Sequence, residues 1–223
     1  MSIKVLIGCE TSGIVRNAFL DQGFDTWSCD LLPADDRSNR HIQDDVRDVL
    51  KMEEWDLLMV AHPPCTRLCN SGSKWLYEVP PSRLALGHTL DDMWTELQEG
   101  ADLFSDLWNA DVPSVAVENP VMHKHAKKLI RNYQPFAQSV QPYEFAENLD
   151  DPDNVTKRTC FWLKNLPTLQ KTGTFTRATA RNDIHLASPS PDRWKIRSRF
   201  HKGMAKAMAD QWGNHVLTTK SLF

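Results

Sequence analysis

Three short apolar runs, each stopping abruptly at a loop of small or chemically active residues, constrain this chain more than any other feature. Lys4-Val5-Leu6-Ile7 runs into Gly8-Cys9-Glu10-Thr11-Ser12-Gly13, Trp55 to Val60 into His62-Pro63-Pro64-Cys65, and Val112 to Val117 into Glu118-Asn119-Pro120. Runs without polar alternation are apolar on both faces, the pattern of parallel strands covered by helices on each side. Helical patterns lie between them. Ile14, Val15, Ala18 and Phe19 recur at helical spacing after the first loop, and Asp91–Trp108 is a longer amphipathic stretch. Ser12 suits the N-cap of the first helix and Gly23 its C′ position. A weaker strand pattern over Phe24–Cys29 stops at Asp30. This alternation predicts an α/β domain on a doubly wound, mostly parallel sheet.

Beyond Pro135 the pattern changes. Ser139–Tyr143 and Thr159–Leu163 read as strands, and Lys202–Trp212 as a closing helix. Between them, Pro167 to Trp194 is rich in Thr, Arg, Ser and Pro without periodicity, and reads as an extended basic loop or small subdomain. The expected division is a catalytic domain over 1–165, a basic segment over 166–196 and a C-terminal helix over 197–223 that packs back on the first part.

Charge is distributed unevenly. Residues 1–153 carry 13 Lys/Arg against 26 Asp/Glu, whereas 154–206 carry 12 against 2. A basic block of this kind suits phosphate neutralisation and points to a nucleic-acid partner. Mutual attraction between the two halves is the simpler alternative. The first apolar run is too short for a signal-peptide core, and no stretch approaches a membrane span of roughly 20 residues. The five cysteines show no framework spacing, so reduced thiols and a cytoplasmic location are expected, with no membrane partner.

In open α/β sheets ligands gather at the carboxyl ends of strands, which is where the distinctive residues of this chain fall. The Gly8–Gly13 loop places small residues before a helix, where backbone N–H groups can face a ligand. Asp30, ending the next strand, is the kind of acid that binds ribose hydroxyls. Two prolines stiffen the loop that carries Cys65, and a thiol held at a fixed position suits nucleophilic catalysis. Cys65 and Cys69 lack a second pair of ligands at zinc spacing, and no metal is expected. Glu118, at the end of a buried strand, suits a proton donor near neutral pH.

In order and spacing these residues resemble the DNA cytosine-C5 methyltransferase family. The resemblance covers residues 3–163 and, more loosely, 196–217. It implies a sheet of the Rossmann-like SAM-dependent methyltransferase type with a short basic C-terminal extension, and S-adenosyl-L-methionine as cofactor. Cys9, Glu10, Thr11, Ser12 and Gly13 are similar to the family's cofactor loop. Asp30, with Leu31, resembles the ribose-binding position, Asp45 with Val46 the adenine side, and Pro63 the start of the Pro-Pro-Cys loop. The resemblance further implies that Cys65 adds to C6 of cytosine, that Glu118 holds a proton against N3, and that Arg158 supports the base's carbonyl edge. The stretch Gly203 to Gln211 looks like the family's closing helix.

The sequence also departs from the family. The cofactor loop has a single Gly13, Thr66 follows the catalytic cysteine where the family carries glutamine, and Pro120 replaces a valine. The interval Leu166 to Ile196 is too short for the usual target-recognition domain. DNA contacts are therefore expected from Arg177, Arg181, Arg193, Lys195, Arg197 and Arg199, with Trp194 and Phe200 stacking on bases. Three readings stand open: a cytosine-C5 transferase acting on DNA, the same chemistry on a free cytosine nucleotide such as dCMP, and a non-catalytic nucleic-acid-binding protein. The altered loop also leaves room for a modified sulfonium donor.

Overall fold

The strands form where apolar runs can be buried on both sides. In the computed structural model, which describes residues 2–182 and 199–222, β1 (Lys4–Gly8) leads through α1 (Ile14–Asp21) to β2 (Asp25–Asp30), then β3 (His41–Gln43) and a short α2 (Val46–Val49). β4 (Leu57–Val60) is followed by a 3₁₀ segment (Asn70–Leu76), the one-turn α3 (Pro81–Leu84) and the long α4 (Leu90–Trp108). β5 (Ser114–Asn119), α5 (Lys124–Leu129), β6 (Gln138–Val140) and β7 (Thr159–Lys164) complete the sheet. The chain closes with α6 (Lys202–Met208), a π turn (Ala209–Gly213) and α7 (Asn214–Lys220).

The sheet order is β3-β2-β1-β4-β5-β7-β6. All pairings among the first five are parallel, and β7 runs antiparallel to both β5 and β6. Side-chain alternation divides the core into two layers. Val5, Ile7, Leu57, Met59 and Ala116 face the layer completed by α1, α6 and Trp212. Leu6, Leu58, Val60, Val115 and Val117 face the layer completed by Met93, Leu97, Ala101 and Phe104 of α4. This two-sided burial explains why β4 and β5 are buried at every position and read as unbroken apolar runs.

Local signals set the helix ends. A capping box starts α4: Thr89 Oγ1 accepts from Asp92 N–H (3.3 Å), and the Asp92 carboxylate accepts from Thr89 N–H (2.7 Å). Gly23 follows α1 at φ 83° and closes it as expected. The single closing helix expected over Lys202–Trp212 is instead two helices joined by the π turn. The turn seats Trp212, which is fully buried, donates Nε1–H to the Pro167 carbonyl (2.8 Å) and meets the Phe161 ring edge-on. Gly213 is required beside it, because a Cβ there would overlap the Phe24 ring.

The basic segment does not stand apart from the body over its described part. Residues 166–182 run largely without regular structure, and Leu169 is buried in the core. The Gln138 side chain makes two 2.7 Å hydrogen bonds to the Leu169 backbone, and Gln170 pairs with Gln211. No helix among the described residues is long and apolar enough to cross a membrane.

Candidate active site

From β1 the chain proceeds to β2 and β3 on one side of the sheet, and β4 and β5 lie on the other. The loops after β1 and β4 therefore part at the topological switch point, the position at which open α/β sheets bind ligands.

The β1–α1 loop differs from the sequence expectation. Its helix N–H groups do not face a ligand. Glu10 is fully buried, and its carboxylate accepts from Val15 N–H (2.7 Å), Arg16 N–H (3.0 Å) and the Ser12 hydroxyl (3.1 Å). Ser12 is not the N-cap. That position falls to Gly13 at φ 68°, a left-handed conformation, while Ser12 Oγ accepts from Ile14 N–H at 3.3 Å. Cys9 is also left-handed, at φ 56°. Beneath the loop the buried Arg16 guanidinium donates to Ser28 Oγ (2.8 Å) and pairs with Asp36. A Cβ at position 13 would overlap that guanidinium. Glu10 thus occupies the place where a dinucleotide fold receives pyrophosphate, its carboxylate already taking the Val15 and Arg16 N–H groups.

Asp30 sits at the end of β2, its Oδ1 accepting from Leu32 N–H (3.0 Å), and Leu31 beside it is exposed. Asp45 caps α2 through Arg47 N–H (2.9 Å) and grips the Arg47 guanidinium, which holds its carboxyl below the usual range. Val46 is buried against Gly8, where a Cβ would come within 2.9 Å of its methyl. Pro63 is buried and Pro64 exposed. Beside this loop lies a cavity of about 540 Å³ lined by Arg47, Pro64, Thr66, Glu96, Gly100 and Leu103, among others.

Two loops carry the reactive residues, and backbone bonds zip them together. Cys65 C=O accepts from Leu68 and Cys69 N–H, both at 3.0 Å, turning the chain sharply after the thiol. Asn70 N–H donates to Val121 C=O and His123 N–H to Leu68 C=O, also at 3.0 Å. His123 caps α5 through Nδ1 and donates Nε2–H to the Arg67 carbonyl at 2.5 Å. The 3₁₀ segment closes against this turn at Gly72, where a Cβ would run into the Thr66 carbonyl. Gly72→Ala is accordingly expected to cost at least about 2 kcal/mol through overpacking, read by thermal or urea denaturation. An unchanged midpoint would disprove this packing.

The zipped loops bring Cys65 and Glu118 into electrostatic contact. Glu118 is buried, and loss of hydration pushes its carboxyl up to about 7 against the opposing charge of Lys157. Cys65 is partly exposed. Burial first, and the Glu118 charge second, push its thiol up to about 12, while Lys157 pulls it down. Arg158, the cation expected from sequence at this site, is elsewhere: it is exposed, and its Nε donates to Ser139 Oγ (3.1 Å). Strand geometry explains the exchange. Glu118 pairs with Phe161 and Asn119 with Cys160, so Thr159 and Phe161 share a face with Glu118, and the chain just before β7 brings the Lys157 charge to that carboxyl.

Three further groups at this edge escaped the sequence reading. Asn119 is fully buried, and neither atom of its amide has a hydrogen-bond partner among the described residues. The Nε2 atoms of His62 and His201 are also buried without partners among the described residues. Unsatisfied buried polar groups are rare, and these share the sheet edge with Cys65 and Glu118. Burial, with Lys157 and His201 adding to it, keeps His62 neutral. His62 directly precedes the Pro-Pro-Cys loop and was discoverable on that ground. Nothing in the sequence marks His201.

The expected nucleic-acid residues divide. Arg177 and Arg199 are exposed. Arg181 donates instead to the carbonyls of Asp151 (2.9 Å) and Pro152 (3.2 Å), holding the loop before β7. Phe200 does not present a stacking surface, because it is buried in the core with its ring against His62, centroids 5.4 Å apart. Arg193, Trp194, Lys195 and Arg197 lie outside the described residues. Neither a family model nor a curated protein sequence matches the chain.

Proposed function

We propose that this protein is an S-adenosylmethionine-dependent transferase that alkylates C5 of cytosine through a covalent bond from Cys65 to C6. The observation that carries the reading is the pairing of a partly exposed thiol with a buried carboxyl that titrates near 7, both under the charge of Lys157. The sheet supports it: an open α/β order in which one reversed strand, β7, is inserted between β5 and the edge strand β6 suits the methyltransferase variety of Rossmann-like fold.

The β1–α1 loop fits the cofactor by what it excludes. With the Glu10 carboxylate on the α1 N-terminus, a pyrophosphate is repelled, whereas a phosphate-free, cationic adenosyl sulfonium is not. Asp30 would hold the ribose hydroxyls, Leu31 and Val46 would flank the adenine, and Pro63 would close the pocket toward Cys65. When bound, S-adenosylmethionine supplies an electrophilic methyl-type carbon.

The protein's own groups do the rest. C5 of cytosine is a weak nucleophile until a thiolate adds to C6 and N3 gains a proton. Protonated Glu118 gives that hydrogen bond, and its neutralisation removes the negative charge that opposes thiolate formation at Cys65. Lys157 stabilises the thiolate.

Two substrate classes share this chemistry. The diversion of Arg181 to backbone carbonyls reduces the cationic surface among the described residues and favours keeping the free nucleotide in view. The test is intact-mass analysis of the protein with S-adenosylmethionine and either a 5-fluorocytosine oligonucleotide or the fluorinated nucleotide. Fluorine at C5 cannot leave as a proton would, so the adduct is trapped. A stable, cofactor-dependent adduct on one of them is expected. No adduct on either would overturn the reading and leave a binding protein.

A further inference from the structure

The reaction proposed above needs a second proton transfer, because the C5 hydrogen must leave before Cys65 can be released. We propose that His201, oriented by Asp153, is the base that removes it; the assignment rests on the cytosine-C5 reading. The bond changes are those of an elimination. The C5–H bond breaks, its electron pair becomes the C5=C6 double bond, the C6–S bond breaks, and the sulfur leaves as the Cys65 thiolate. The proton goes to His201 Nε2.

The geometry around His201 is that of an oriented base. Its Nδ1 lies 3.1 Å from Asp153 Oδ1, and the other carboxylate oxygen accepts from Gly203 N–H at 2.7 Å. Asp153 is thereby held in two directions. A carboxylate accepting from Nδ1–H leaves the lone pair on Nε2, and that atom is buried without a partner among the described residues. The side chain is 12% exposed and its carboxylate partner 10%. Burial, reinforced by Lys157, outweighs Asp153 and keeps the imidazole neutral, as a base must be before it acts. Once His201 is protonated, the charge on Asp153 stabilises the imidazolium.

Position favours His201 over its neighbours. Phe200, adjacent in the chain, packs on His62, which precedes the nucleophile loop. Lys157 Nζ donates to the Arg199 carbonyl (3.3 Å) while its charge acts on Cys65 and Glu118. His201 therefore belongs to the same edge of the sheet as the thiol. His62 also has a nitrogen without a partner among the described residues, but no carboxylate among them orients its ring. Glu118 is committed to N3, and Cys65 is bonded to C6 when the proton leaves.

Three proteins test this: the wild type, His201→Phe to keep ring volume, and His201→Ala. Circular dichroism establishes that each variant folds, and Asp153→Asn serves as the alternative if neither His201 variant does. Adduct formation with 5-fluorocytosine does not involve C5 proton loss, so the variants are expected to form it within about threefold of the wild-type rate. With ordinary cytosine, turnover is expected to fall on the order of 10²-fold. The alkylated, enzyme-bound intermediate should then accumulate by intact mass, and turnover should become sensitive to deuterium at C5. Imidazole should partly rescue His201→Ala. Wild-type turnover in the His201 variants, or equal loss of the fluorocytosine adduct, would overturn the assignment alone. Absence of any adduct with the wild type would instead overturn the underlying reaction, and this assignment with it.

Discussion

Cys65→Ser is expected to bind S-adenosylmethionine as the wild type does and to turn over cytosine at least about 10³-fold more slowly, with no covalent adduct on 5-fluorocytosine. A hydroxyl is nearly isosteric with the thiol but is a far weaker nucleophile. The Cys65 side chain makes no hydrogen bond that the fold depends on, since the Leu68 and Cys69 bonds run to its backbone carbonyl. Stability should therefore change by less than about 1 kcal/mol. The resting thiol is protonated, because burial and the Glu118 charge push it up to about 12. Wild-type reactivity toward a general alkylating agent should accordingly be slow without ligands and rise when cofactor and substrate neutralise the site. Fast alkylation of the free protein at neutral pH would contradict this electrostatic picture.

Glu118→Gln is expected to lower turnover by about 10²- to 10³-fold while making the protein more stable above pH 7. The two effects share one cause. The carboxyl titrates near 4.5 when hydrated and near 7 in the fold, because burial disfavours its charged form. Below pH 4.5 the group is protonated in both folded and unfolded chains and costs nothing. As pH rises from 4.5 to 7 the unfolded chain ionises and the folded one does not, so stability falls, reaching its full deficit above 7. A displacement of this size corresponds to up to about 3 kcal/mol. Glutamine cannot ionise and should recover much of it, seen as a raised melting temperature at pH 8 and no gain at pH 4. Wild-type turnover should fall on the alkaline side of pH 7 as the proton is lost. If the variant melts below the wild type at pH 8, the carboxyl is not paying a desolvation cost.

The strand framework was legible because β4 and β5 are buried at every position, which leaves an unmistakable apolar signature in the chain. The short β3 escaped notice because His41–Gln43 carries almost no apolar side chain. The thiol and the acid were legible for a related reason: both directly follow strands whose ends the pattern located. The cation was not, since Lys157 and Arg158 are adjacent and both cationic, and only the packing of the chain before β7 against the rest of the molecule distinguishes them.

The same division holds for the whole molecule. Local chemistry, written residue by residue, determined the sheet class, the end of α1 at Gly23, the start of α4 at Thr89 and the Pro-Pro-Cys loop. Which side chains meet was decided only when segments far apart in the chain were packed. Glu10 turned inward onto its own helix, accepting from Arg16 N–H, while the Arg16 guanidinium fills the space beside Gly13. Asp153 found His201 across 48 residues, a contact between positions that carries no short-range pattern.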